Sequence, residues 1–89
     1  MHKEKFLHYL KHEKRYSVHT ILSYTTDLEQ FIKFLSSEFQ INSANKVNFQ
    51  LVRSWIAKLL NENISARSVN RKSTTLKTYF RFLIKEDII

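Results

Sequence analysis

"SARSVNRKSTTLKTYFRFL", residues 65–83, is the stretch that decides the fold. Its apolar residues recur at helical spacing. On a wheel of 100° per residue with Val69 at zero, Leu76, Phe80 and Leu83 fall within about 40°, and Ser73 lies among them. That is a core-facing stripe, and Ser65 in front of it is a good N-cap. The helix is expected to run from Ser65 to about Lys85. Asn70, Lys77, Arg81, Thr74, Arg67, Lys85, Thr78 and Arg71 share an arc of roughly 120° on the other side. No acidic residue occurs anywhere between Ser65 and Leu83. A solvated helix face usually mixes both signs.

Working outward, the rest of the chain reads as three more helices. The first is expected over about Lys3 to Lys14, with Phe6, Leu7 and Leu10 inward. The second begins behind the cap residue Ser17 and reaches about Phe39. Its apolar positions Ile21, Tyr24, Leu28, Phe31, Ile32, Leu35 and Phe39 keep helical spacing. The Asn-rich segment INSANKVN (residues 41–48) is a loop. Asn48 caps the third helix, about Phe49 to Glu62, with Val52, Trp55, Ile56 and Leu59 inward. Asn63 follows as a residue that tolerates the left-handed conformation. Phe34 and Phe82 fall off the core stripes, which suits burial against a crossing helix or a contact with another protomer.

Composition narrows the functional classes. The 89 residues fit one small domain spanning 1–89, with room for a simple core and no large cleft. Gly, Pro and Cys are all absent. Gly-dependent hairpins and phosphate loops are therefore disfavoured, and disulfides, cysteine-zinc sites and thiol nucleophiles are excluded. Helices joined by short polar links remain, so the expected class is all-α. No apolar run is long enough to span a bilayer, and the N-terminal MHKEKFLHYLKHEK is not a signal peptide. A cytoplasmic location and no membrane partner are expected.

Fifteen basic residues against eight acidic ones give a net charge of +7, which calls for an anionic partner. Arg and Lys neutralise phosphates and release counterions. Thr and Asn donate to phosphate oxygens or meet base edges, and their small size lets a helix approach a groove. A helix fits the DNA major groove, whereas the RNA major groove is too deep and narrow. The alternative is a helical protein-interaction module whose basic face meets an acidic partner. A membrane-surface helix would need a free apolar face, and this one is required for the core.

Two stretches together resemble a known family. In YSVHTILSYTTDLEQFIKFL (residues 16–35), Ser17, Thr20, Tyr24, Asp27, Leu28, Phe31, Phe34 and Leu35 fit S-x-x-T-x-x-x-Y-x-x-D-L-x-x-F-x-x-F-L. In ISARSVNRKSTTLKTYFRFLIKEDII (residues 64–89), Ser65, Ser68, Arg71, Leu76, Phe80 and Leu83 fit the second family pattern. Lys77 stands there for Arg, Tyr79 for Phe, Thr74 for Ser and Ser73 for Leu, while Asn63 replaces a usual Gly. FLHYLKHEKRYS (residues 6–17) also matches. The chain thus resembles the N-terminal core-binding, SAM-like domain of tyrosine recombinases of the phage-integrase and Xer type.

The resemblance implies four helices in two crossing hairpins, with the second and fourth facing the major groove of a recombination half-site. It implies His19, Thr20 and Ser23 as DNA-facing residues of the second helix, flanked by Thr26 and Gln30. They join Arg67, Asn70, Arg71, Thr74, Lys77, Thr78 and Arg81 of the fourth. It implies double-stranded DNA as partner, with other protomers in a synapse. Family catalysis uses a Tyr nucleophile and an H-x-x-R box in a separate C-terminal domain; the single H-x-x-R here, His12 to Arg15, lies at the end of the first expected helix and not in such a domain. The stretch is therefore expected to be a binding domain without catalysis of its own, from a parent that is a recombinase. Tyr9, Tyr16, Tyr24 and Tyr79 read as packing residues on amphipathic helices. His8 and His12 stand one turn apart without a third ligand. No cofactor, metal or small-molecule ligand is expected.

Overall fold

The computed structural model describes residues 1–89. Four α-helices account for its regular structure: α1 (Lys3–His12), α2 (Val18–Phe39), α3 (Phe49–Asn61) and α4 (Ala66–Lys85), with one 3-10 turn at Ala44–Lys46. The all-α expectation holds.

Three of the four helices begin as the sequence dictates. Ser17 Oγ accepts from Thr20 N–H, Asn48 Oδ1 from Leu51 N–H, and Ser65 Oγ from Ser68 N–H. Each bond satisfies one of the amide donors that a helix start leaves unpaired. Asn63 ends the α3 side with φ 62°, the left-handed conformation expected of it. α1 stops two residues earlier than the pattern suggested. Arg15 takes φ 53°, and the Tyr16 amide turns back to the Leu10 carbonyl at 3.1 Å. Tyr16 consequently lies in the α1–α2 connection and not in a helix.

The helices pack as two hairpins. α1 runs antiparallel to α2, as the Lys3–Glu29 pair at 3.1 Å near one end of α1 shows. α3 packs on α4, with the Phe49 and Phe80 rings 5.3 Å apart. α2 crosses α4 in the opposite direction: Asp27 meets Arg71 and Thr75, while Gln30 meets Lys72. The smallest extent of the molecule is 17 Å, enough for two layers of helices at the usual 8–10 Å spacing.

The core lies between the layers. Phe6, Leu10, Leu28, Phe31, Leu35, Trp55, Leu59, Val69, Leu76, Phe80 and Leu83 are all buried. Phe34 and Phe82 are buried as well, against the crossing helices. Phe39 is the exception to the α2 stripe; it is 42% exposed at the helix end. α4 touches every other helix, so its hidden side extends well beyond Val69 to Phe80. Lys72, Thr75, Thr78, Tyr79 and Phe82 are buried too.

Candidate nucleic-acid interface

One side of the α2–α4 pair stays open to solvent. On α4 the exposed residues are Arg67, Asn70, Arg71, Thr74, Lys77 and Arg81. On α2 the residues lining the same side of the crossing are His19, Ser23, Thr26 and Gln30, of which Ser23 is half-buried. The antiparallel crossing at Asp27–Arg71 puts both rows on one continuous surface. A turn of helix brings Ser23, Thr26 and Gln30 beside Asp27, and Arg67, Thr74 and Arg71 beside Thr75. The fold thus brings together most of the residues singled out from the sequence.

Two of them are placed differently. Thr78 is buried at 7% exposure, and its hydroxyl donates to the Thr74 carbonyl at 3.1 Å. The expectation that it faces outward is corrected: a wheel drawn around Val69 ignores α2, which covers that flank of α4. Thr20 is half-buried, and its Oγ1 accepts from Ser17 Oγ at 3.0 Å. It serves the cap of α2, with little of its side chain to spare. Lys85, at the end of the arc, is paired with Glu13.

The acid missing from α4 comes from α2. Asp27 is fully buried, and its carboxylate accepts four hydrogen bonds. Arg71 donates from Nε to Oδ2 at 3.2 Å and from Nη2 to Oδ1 at 2.8 Å. Lys72 Nζ donates to Oδ1 at 3.0 Å and Thr75 Oγ1 to Oδ2 at 2.9 Å. Burial by itself raises the pKa of Asp27, but the donors from Arg71, Lys72 and Thr75 outweigh it and hold the carboxyl below its usual range. The same pairing raises Arg71. Lys72 completes its shell with Gln30 Oε1 at 2.6 Å and the Trp55 ring, whose centroid is 6.0 Å away.

Lys72 and the role of Asp27 were not found from the sequence. The available signal was a lysine about 60° from Val69, inside the apolar flank where a lone cation needs a partner. Arg67, Lys77 and Arg81, by contrast, make no ion pair and no side-chain hydrogen bond. Their charges remain available on the surface. A cleft of about 360 Å³ between α2 and α3 has Lys33, Lys58, Lys72 and Glu62 on its walls.

The other candidates resolve simply. Tyr79 is fully buried; burial pushes its pKa up to about 12, and its hydroxyl donates to the Met1 carbonyl at 2.8 Å. Burial also raises Tyr24, reinforced by neighbouring Tyr16. The His8 and His12 rings lie 4.2 Å apart on the surface, and no three His, Cys, Asp or Glu side chains converge to hold a metal. No helix is long and apolar enough to cross a membrane.

Residues 4–87 match the family described as phage integrase, N-terminal SAM-like domain. The chain belongs to this family. Among curated relatives of this SAM-like domain are proteins named tyrosine recombinase XerC. That of Rickettsia massiliae (strain Mtu5) is 38% identical over 85 residues, covering 91% of this chain and 28% of the relative. That of Anoxybacillus flavithermus (strain DSM 21510 / WK1) is 36% identical over 84 residues, covering 94% of this chain and 28% of the relative. The chain therefore spans a little over a quarter of the length of these relatives. No solved structure matches it significantly. The helical pairings agree with the two crossing hairpins that the SAM-like resemblance implies.

Proposed function

We propose that this SAM-like domain binds double-stranded DNA through the joint face of α2 and α4, as the half-site-gripping part of a tyrosine recombinase acting inside the cell. Strand cleavage and exchange belong, on this account, to a separate catalytic domain of the parent protein, which assembles with further protomers on DNA. The observation that carries the proposal is the continuous α2–α4 surface. It exposes Arg67, Lys77 and Arg81 without ion-pair partners on an acid-free α4, and Asp27 of α2 is buried beneath it. Unpaired cations on a rigid helix attract phosphates, and the small residues Asn70, Thr74 and Ser23 leave room for the helix to sink into a major groove.

Fluorescence anisotropy with a labelled duplex over a range of salt concentrations tests this. Affinity should fall with a log–log slope of about −0.9 per phosphate contacted. The triple variant Arg67→Ala, Lys77→Ala, Arg81→Ala should flatten that slope by two units or more. An unchanged slope in the folded variant would remove α4 from the interface. Phe34, which an interaction module would expose, is buried and gives that alternative no support.

A further inference from the structure

Arg71 differs from the other cations of the face, because it is clamped. Its guanidinium has five N–H donors. The Nε proton and one Nη2 proton are taken by the two oxygens of Asp27, at 3.2 and 2.8 Å. The second Nη2 proton and those of Nη1 remain, and one from each nitrogen points side by side off the outer edge of the group. The Arg71 side chain is 46% exposed, so this edge reaches solvent.

We propose that Arg71 reads a guanine in the major groove of the bound duplex, and that Asp27 is the positioning residue that fixes its guanidinium for the task. The inference deepens the DNA-binding function proposed above and rests on it. Guanine offers two acceptors, O6 and N7, side by side in the major groove, and a planar pair of donors matches them. Adenine puts a donor, N6, where guanine has O6, and so turns one of the two hydrogen bonds into a clash of donors.

Three features favour a base edge over a phosphate for this arginine. Asp27, which it shares with Lys72, offsets part of its charge, and this weakens the long-range pull on phosphates but leaves the outward donors intact. The bidentate clamp fixes the plane of the guanidinium, so little rotamer freedom remains to be lost on binding. Its neighbours on the exposed face include Asn70 and Thr74, small enough to let this part of α4 come close to the bases, while Arg67, Lys77 and Arg81 surround them. Asp27 itself is fully buried and meets no phosphate.

The test is selection of duplexes from a random-sequence pool by the folded domain, followed by affinity measurement on the selected duplex with one base pair changed at a time. The wild-type domain should require guanine at one position, with adenine there weaker by about 10-fold or more. Arg71→Lys keeps the charge, but its ammonium is drawn to Asp27 and has no planar donor pair to present outward, so it should reduce that preference below about 3-fold, with other positions and the salt slope unchanged. Asp27→Asn, in whatever fraction folds, should lose the same preference although Arg71 is present. A role confined to stability would not move a guanine-to-adenine ratio. Replacing the guanine by 7-deazaguanine, which lacks the N7 acceptor, should cost the wild type affinity and leave Arg71→Lys almost unaffected.

A guanine preference that survives in Arg71→Lys and Arg71→Ala would overturn the assignment. So would a uniform loss on all duplexes with a salt slope flatter by about 0.9, since that marks a phosphate contact. In both of those cases the domain still binds DNA and the function proposed above stands. Absence of binding to any duplex at low salt would overturn both.

Discussion

Arg71 grips Asp27 with two guanidinium nitrogens, at 3.2 and 2.8 Å, across 44 residues of sequence. Lys72, the next residue, holds the same carboxylate at 3.0 Å from inside the core. One buried acid of α2 therefore ties down two consecutive cations of α4 and fixes how the two hairpins cross. Two cations of the acid-free helix, Arg71 and Lys72, thus share one acid supplied from beneath, while Arg67, Lys77 and Arg81 stay unpaired.

Asp27→Ala should destabilise the domain by about 3–5 kcal/mol, because it leaves Lys72 buried without a counter-charge. Arg71→Ala should cost only about 1 kcal/mol, since its side chain is half exposed and Lys72 and Thr75 still satisfy the carboxylate. Urea denaturation followed by circular dichroism measures both. Equal losses would mean that the outer and inner cations carry the crossing alike.

The pH dependence follows from the same carboxylate. Its pKa in the folded protein lies below the ordinary 3.8, so the unfolded chain takes up the proton first. The stabilisation is fully present above about pH 4 and is lost as pH falls through the folded value. Urea midpoints measured from pH 7 down to pH 2 should drop in this acid range. Asp27→Asn, less stable at neutral pH, should show a shallower drop. A parallel decline in both proteins would assign the acid sensitivity to other carboxylates.

Asn63 offers a backbone test. It occupies φ 62° between α3 and α4. Asn63→Ala should cost about 1–2 kcal/mol, because a Cβ without a compensating side-chain amide is disfavoured there. That corresponds to roughly 4–8 °C in Tm per kcal/mol for a domain of this size. Asn63→Gly should leave Tm unchanged or higher, as glycine adopts positive φ without strain. A lower Tm for the glycine variant than for the alanine variant would contradict the geometric explanation.

Much of this architecture was legible in the sequence because it is encoded locally. Ser17, Asn48 and Ser65 cap helices through bonds three residues away, and Asn63 sits where a left-handed residue was needed. The inward stripe of α4 was equally plain, since Val69, Leu76, Phe80 and Leu83 repeat at helical spacing. What escaped depends on tertiary register. Thr78 lies on the polar arc of an isolated helix and is buried only because α2 crosses there. Lys72 is buried because Asp27, Gln30 and Trp55 happen to converge on it from two other helices. A single-axis wheel cannot represent a helix with three neighbours. α1 ended early for a different reason: Arg15 takes a positive φ that no residue type announces.

Lys77 separates charge from stability. It is exposed and makes no ion pair, so Lys77→Ala should change stability by no more than about 0.5 kcal/mol. Its DNA affinity should fall on every duplex tested, with the salt slope flatter by about 0.9. Parallel thermal melts and anisotropy titrations give the two numbers. A variant that melts like the wild type and binds like it would take Lys77 off the interface.

The most direct measurement is a nitrogen–proton correlation NMR titration of the labelled domain with duplex DNA at low salt. The account predicts that the amides of Ser23, Thr26, Asn70, Arg71, Thr74 and Lys77 move together, while those of the α1 and α3 interiors stay nearly still. Resonances of α2 and α4 that remain unmoved at saturating duplex, or shifts confined to α1, would contradict it.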